Sequence, residues 1–487
     1  MKAIGTVQLG VTLAALTLAP LFFGSVDRAW VSAWTVVLSF GTICGAAAGP
    51  LNAAQRRVVL VLCLLAAAYV AVAVLQVMPM PLEGVSDPIW LRAKELLGLD
   101  VAPRISSRAE IPPLAIGHFL IAVTSLLCGF LAGVSHRNAD RLITAARYSI
   151  LLYAIYGLIA LAVTPDLLLW APKLAYRDSL TSTFVNHNTA ATFIGAGLIL
   201  CSCAAFLTLQ TLRWSSLRIL LLTPANEGVA FELILRAAAA LICFFALLLT
   251  RSRGGLICSC LGLLVAFGLM LPDKFRGRSG YVVGLLVAAL AMAAVWLSGT
   301  GRIGSQGAFD AGRWAVYQMC LDAIRQRPLL GAGIGTFADL FPSLRTASFE
   351  SWGVWDFAHS TVLEIAFEMG VPLALALVLA ASASVVILGR AALRSGGWTR
   401  ASFAALTGIA VLTYLHAMID FSLQIPGYAI VFGILLGCGL ARATAGHRTK
   451  DPAQVSSRHR RGPDRRLSTS SVEPGVLPDR HVQAPEP

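Results

Sequence analysis

Long apolar runs separated by short polar ones make up most of this chain, and the length of those runs is the first clue. A helix needs about twenty mostly apolar residues to cross the hydrocarbon core of a bilayer. By that measure twelve spans are predicted, at about 8–24, 31–48, 58–78, 114–133, 148–164, 189–210, 231–250, 254–271, 281–298, 359–389, 402–419 and 427–441. The runs lack the two-residue alternation of an outer-membrane barrel, which leaves helices as the spanning form. The pattern predicts an all-α polytopic membrane protein. One polar interruption is far longer than the rest. It covers 299–358, and the apolar run after it opens with His359-Ser360.

Composition agrees: 57% of residues are hydrophobic and only 13% charged, against about a quarter charged in soluble domains. The net charge of +13 raises nucleic acid as a partner, but its distribution argues against one. Basic residues sit between apolar runs and in the tail, as topology signals do. With the N-terminus cytoplasmic, twelve spans put 24 of the 38 lysines and arginines on the inner side. Lys2 and the run after it resemble a secretory signal, but with so many further spans they read as an uncleaved first helix.

The expected organisation has three parts. Residues 1–180 are N-terminal membrane helices with an outer loop near 79–113, where Trp90 to Leu97 form a short interfacial helix. Residues 181–441 are the membrane core, including the outer loop 299–358. Residues 442–487, rich in Arg, Ser and Pro, are a disordered cytoplasmic tail suited to anionic lipid. The ten cysteines lie almost entirely in apolar runs. The pairs Cys201/Cys203 and Cys258/Cys260 are spaced i, i+2, so they do not face each other on a helix. They read as packing residues, and no metal site is expected.

Candidate chemistry gathers at the outer ends of the spans. Arg251 and Arg253 flank a tight outer turn against the inside bias of cations, and guanidinium groups suit phosphate oxygens. Arg251 reads equally well as a headgroup anchor. Arg253 precedes Gly254-Gly255, where backbones can approach closely. Arg313 opens an amphipathic stretch in which Trp314, Tyr317, Cys320/Leu321 and Ile324 recur at helical spacing. Gly331, Gly333 and Gly335 lack the Lys-Ser/Thr ending of a phosphate loop and read as a tight turn. His359 is a candidate proton acceptor, followed by Ser360. Glu364 and Glu368 lie deeper in the same run, off the His359 face, and are expected to be paired or protonated. His416 and Asp420, spaced i, i+4, are expected to share a helix face and support the site. His187, between Asn186 and Asn188, either caps the sixth span or touches substrate.

Taken in order, Phe184-Val-Asn-His-Asn188, Ser252-Arg-Gly-Gly255, Arg313-Trp-Ala-Val-Tyr317, the run 328–337 and His359-Ser360 with Gly370 resemble the O-antigen ligase and polymerase superfamily over about 180–440. The resemblance implies a GT-C-type membrane glycosyltransferase with about a dozen helices and a large periplasmic loop before the histidine-bearing helix. Its donor would be a glycan on undecaprenyl diphosphate, and no cofactor or nucleotide sugar would be needed. Two arginines and one histidine essential in the ligases fall on Arg253, Arg313 and His359. Arg251, His187, Asn188, Tyr317 and Ser360 are the accompanying substrate-binding candidates. Where the ligase pattern has a small or hydroxylated residue three positions after the glycine, this chain has Leu373. The acceptor is expected to be lipid A–core, with a growing O-antigen or exopolysaccharide chain as the polymerase alternative and a protein as a third. A flippase or other transporter would need charges along a path through the membrane. No such path is evident, nor is an internal repeat or a pair of broken helices.

Overall fold

Runs rich in Ala, Leu and Val form helices because a backbone in lipid must satisfy its own hydrogen bonds. The computed structural model describes residues 2–80, 84–98, 100–211, 227–271, 311–346 and 355–445. The expected span at 281–298, the rest of the loop 299–358 and the tail 446–487 lie outside them. Fifteen α-helices occur among the described residues. They are α1 (Lys2–Leu18), α2 (Arg28–Ala48), α3 (Ala53–Val77), α4 (Pro88–Leu97), α5 (Pro113–Gly133), α6 (His136–Val163), α7 (His187–Thr211), α8 (Glu227–Leu249), α9 (Arg253–Met270), α10 (Ala311–Gln326), α11 (Phe337–Leu344), α12 (Thr361–Met369), α13 (Val371–Arg394), α14 (Gly397–Ala417) and α15 (Pro426–Ala443). The β structure among these residues is one two-residue hairpin, Leu167–Leu168 with Ala171–Pro172.

Nine of these helices are long and apolar enough to cross a membrane. α1 is shorter, and α14 is long enough but less apolar. α7 and α15 are the buried centre, whereas α3, α8 and α13 turn most of their surface outward. α15 packs against α5 at backbone distance. A Cβ on Gly437 would lie 2.0 Å from the Leu126 carbonyl, and one on Gly129 would lie 2.2 Å from that of Ile434. Small residues allow this approach, and close packing holds helices together where lipid offers no hydrophobic drive.

At the end of the bundle where α3 and α14 finish and α7, α9, α13 and α15 begin, α10, α11 and α12 form a separate layer. Its own core holds Val316, Cys320, Ile324, Phe337, Phe341 and Phe367. The segment carrying α4 fastens onto this layer. The Gln76 side chain donates to the carbonyls of Leu330 (2.5 Å) and Glu368 (2.7 Å) and accepts the Ile334 N–H (3.0 Å). Arg327 pairs with buried Asp87 at 2.6 Å, and Arg108 pairs with Asp339.

Several expectations need correction. The run 359–389 is not one span. It breaks at Gly370, whose φ of +90° favours glycine and where a Cβ would meet the Leu329 carbonyl at 2.2 Å. The nine-residue α12 therefore belongs to the outer layer and α13 alone is long enough to span. The first helix stops at Leu18 rather than 24, because the chain turns through Phe23, Gly24 and Ser25, all at positive φ. On α10 the buried face is Val316, Met319, Cys320 and Ile324, while Trp314 is 64% exposed. The partner surface of the outer layer, not the bilayer, selects that face. Arg442, which opens the expected tail, is buried in the last turn of α15, where it donates to Asp140 (2.8 Å) and His136 (2.9 Å). A cation is favoured at that carbonyl-rich end.

Candidate active site

The polar centre of this end is Asp420, fully buried in the turn between α14 and α15. One of its carboxylate oxygens accepts the Asn188 side-chain amide (2.8 Å), and the other accepts the Ser422 hydroxyl (2.8 Å). Thr361, at the start of α12, donates to its backbone carbonyl (3.2 Å). Arg313, at the start of α10, donates to the adjacent Ile419 carbonyl at 3.0 Å, with the same nitrogen 3.9 Å from the carboxylate. One aspartate thus ties together α7, α10, α12 and the α14–α15 turn.

Asn188 extends this network to α9. Its side-chain oxygen accepts the Ser252 hydroxyl (2.8 Å), and Ser252 in turn caps α9 by accepting the Gly255 N–H (3.2 Å). Arg253 is the first residue of that helix and half-buried, while Arg251, at φ +55°, is exposed. His187 is buried. It stacks on Tyr176 with ring centroids 4.2 Å apart, and its Nδ1 lies 2.7 Å from the Thr250 carbonyl. His416 sits beneath, its Nδ1 2.7 Å from the Thr192 hydroxyl and 3.3 Å from that of Ser422. The expected shared helix face of His416 and Asp420 does not form, because α14 ends at Ala417. Ser422 bridges the two instead.

His359 lies across the Asp420 turn. Its ring meets Phe421 edge-on at 4.9 Å and Trp355 at 5.0 Å, and its backbone is held at φ +53°. That conformation is costly for a residue with a side chain and persists only where neighbours enforce it. Two neighbours do so. Tyr317 donates its hydroxyl to the His359 carbonyl (2.8 Å), and Glu364 accepts the Ala358 N–H (2.7 Å). Ser360 is the N-cap of α12, accepting the Leu363 N–H at 3.3 Å. The other Glu364 oxygen accepts the Gln424 amide (2.7 Å). Burial first, and Glu368 second, push the Glu364 carboxyl well above the ordinary carboxylate range. Burial likewise lifts Glu368 to about 7, against backbone N–H groups of Gly335, Phe337 and Thr336 that favour its charged form. Glu368 holds the start of α11, accepting the Phe337 N–H at 3.0 Å. The glycine turn before it lies against α12, with Ala332 and Gly333 donating to the Phe367 and Glu368 carbonyls.

The elements bearing Arg253, Arg313 and His359 therefore meet around one buried carboxylate. Residues 238–378 match the O-antigen ligase family. The match places this segment in the O-antigen ligase and polymerase superfamily, whose members are glycosyltransferase-like membrane enzymes acting on lipid-linked glycans. No curated protein matches the chain. The matched segment contains Arg253, Arg313 and His359, whereas Asn188 and Asp420, which connect them, come from the flanking helix α7 and the α14–α15 turn. Ser252 enters the sequence reading only as part of the Ser252-Arg-Gly-Gly255 motif, and Thr192, Ser422 and Gln424 do not enter it. Their only signal is a polar side chain within or beside an apolar run. Among the described residues, no group of three or more His, Cys, Asp or Glu side chains gathers to hold a metal.

Proposed function

We propose that this protein transfers a preassembled polysaccharide from undecaprenyl diphosphate to lipid A–core at the periplasmic face of the bacterial inner membrane, with both termini cytoplasmic. The observation that carries the reading is the convergence of two arginine-bearing helix starts and His359 on the Asp420 turn. Asp420 and the Ile419 carbonyl fix the Arg313 guanidinium at one edge. The helix start of Arg253, tied to Asn188, supplies a second cation.

In the proposed reaction the acceptor hydroxyl gives its proton to His359 and its oxygen attacks the anomeric carbon. The bond from that carbon to the diphosphate oxygen breaks, and undecaprenyl diphosphate leaves. Arg253 and Arg313 offset its developing charge, the electrostatic stabilisation that commonly dominates such steps. Attack opposite the leaving group inverts the anomeric centre. The arginines supply the positive charge the leaving group requires, so turnover is expected without added metal. Arg251, exposed at the turn, and His187, Asn188 and Tyr317 flank this centre as substrate-side candidates.

A polymerase that extends a glycan on the same donor is the second reading, favoured by Leu373, which is packed against Ala73, Ile334 and Met369 rather than small or hydroxylated. Purified protein supplied with lipid-linked glycan and lipid A–core, without nucleotide, decides between them. Glycan on lipid A–core, lost in His359→Ala and Arg313→Ala, is expected. Longer glycan on undecaprenyl diphosphate would establish the polymerase. Full transfer by both alanine variants would overturn the catalytic assignment, and no turnover with either acceptor would favour a transporter.

A further inference from the structure

Far from Asp420, α6, α7, α8 and α14 enclose a cavity of about 420 Å³ lined by Asp140, Thr144, Arg147, Arg236, Trp398 and Ser402, among others. Trp398 and His416 are on one helix, as are Arg236 and Leu249. At 1.5 Å per residue the cavity lies roughly 20–27 Å along the bundle from the candidate active site. It is a different place, toward the opposite membrane surface.

The charges around it do not balance. Asp140 is paired with Arg442 at 2.8 Å. Arg236 pairs with Glu232, donates to Thr208 and lies over the Trp398 ring at 4.4 Å. Among the described residues Arg147 has no ion pair. Its guanidinium lies over the Tyr148 ring at 4.8 Å, and its Nε is buried with no hydrogen-bond partner. Both guanidinium-bearing residues, Arg147 and Arg236, line this one cavity. A buried donor without an acceptor is unfavourable, and two like charges lining one cavity add repulsion. An anion between them would relieve both. Guanidinium geometry favours a phosphate, which takes two parallel N–H bonds. The hydroxyls of Thr144 and Ser402 offer further contacts, and half-exposed Trp398 is the type of residue found at headgroup level.

We propose that this cavity binds a phosphate ester anion, the headgroup of an anionic phospholipid from the leaflet opposite the candidate active site. The test uses the delipidated full-length protein in detergent. Phosphatidylglycerol, phosphatidylcholine and inorganic phosphate are added separately, and retained ligand is read by native mass spectrometry beside the melting temperature. Phosphatidylglycerol is expected to stay bound and raise the melting temperature, with at least tenfold weaker binding in Arg147→Gln. The unliganded Arg147→Gln protein is expected to melt no lower than wild type, since it loses one of two repelling cations. Thr144→Phe, at an exposed position beside the mouth, is a second variant that obstructs entry without removing a charge. An Arg147-dependent effect of inorganic phosphate alone would keep the anion site but assign it to a soluble phosphate. Equal binding of phosphatidylcholine, or unchanged phosphatidylglycerol binding in both variants, would overturn the proposal.

Discussion

Asp420 is the residue whose loss touches most of the candidate site at once. Asp420→Ala leaves the Asn188 amide and the Ser422 hydroxyl without their acceptor, at about 1–3 kcal/mol for each buried group left unsatisfied. Asp420→Asn keeps the volume but turns one acceptor into a donor facing another donor. Transfer is expected to fall at least tenfold in Asp420→Asn while the protein still inserts. Wild-type activity in that variant would remove Asp420 from the site. Tyr317→Phe is a milder test, since it keeps the ring and deletes the hydroxyl that donates to the His359 carbonyl. One neutral bond contributes about 1 kcal/mol, so a roughly fivefold loss of rate is expected, measured as initial transfer velocity. A larger loss with unchanged stability would mean that the Tyr317 hydroxyl touches substrate.

Between elements, the break at Gly370 decides how the outer layer meets the membrane helices. Gly370→Ala would force a Cβ against the Leu329 carbonyl at a backbone conformation that disfavours side chains. Such strain costs about 1–3 kcal/mol before the clash is counted, and a drop of several degrees in melting temperature is expected. The segment around α4 is held by the Asp87–Arg327 pair and by Gln76. Arg327→Ala leaves buried Asp87 short of its cation and is expected to speed hydrogen exchange in α4 more than in α7. Equal exchange in both helices would show that the pair does not secure this segment.

For the molecule as a whole, the carboxyls of α12 tie stability to pH. The Glu368 carboxyl titrates near 7 when folded against an ordinary value of 4.5. The folded protein therefore holds a proton that the unfolded chain has released between those values. Its contribution to stability is fully present below about 4.5 and is lost as pH rises through 7. The melting temperature is expected to fall between pH 5.5 and 8, and Glu368→Gln to flatten that slope. An unchanged slope in the variant would assign the dependence to other groups.

Local information was enough for much of this. Hydropathy and run length alone marked a helical membrane protein, because the bilayer demands apolar length and internal hydrogen bonding wherever the chain crosses. Residue chemistry raised Arg251, Arg253, Arg313 and His359 as candidates, and the family resemblance selected Arg253, Arg313 and His359 among them. Only the tertiary structure brought their helices together, since the contacts responsible join residues hundreds of positions apart, such as Asn188 with Asp420 and Gln76 with Glu368. It also split 359–389 into two helices at Gly370-Val371-Pro372, within a run that reads in sequence as a single span. Hydropathy reports what a segment prefers as surroundings. Which neighbours supply those surroundings, and which polar atoms they leave facing one another, is a property of packing.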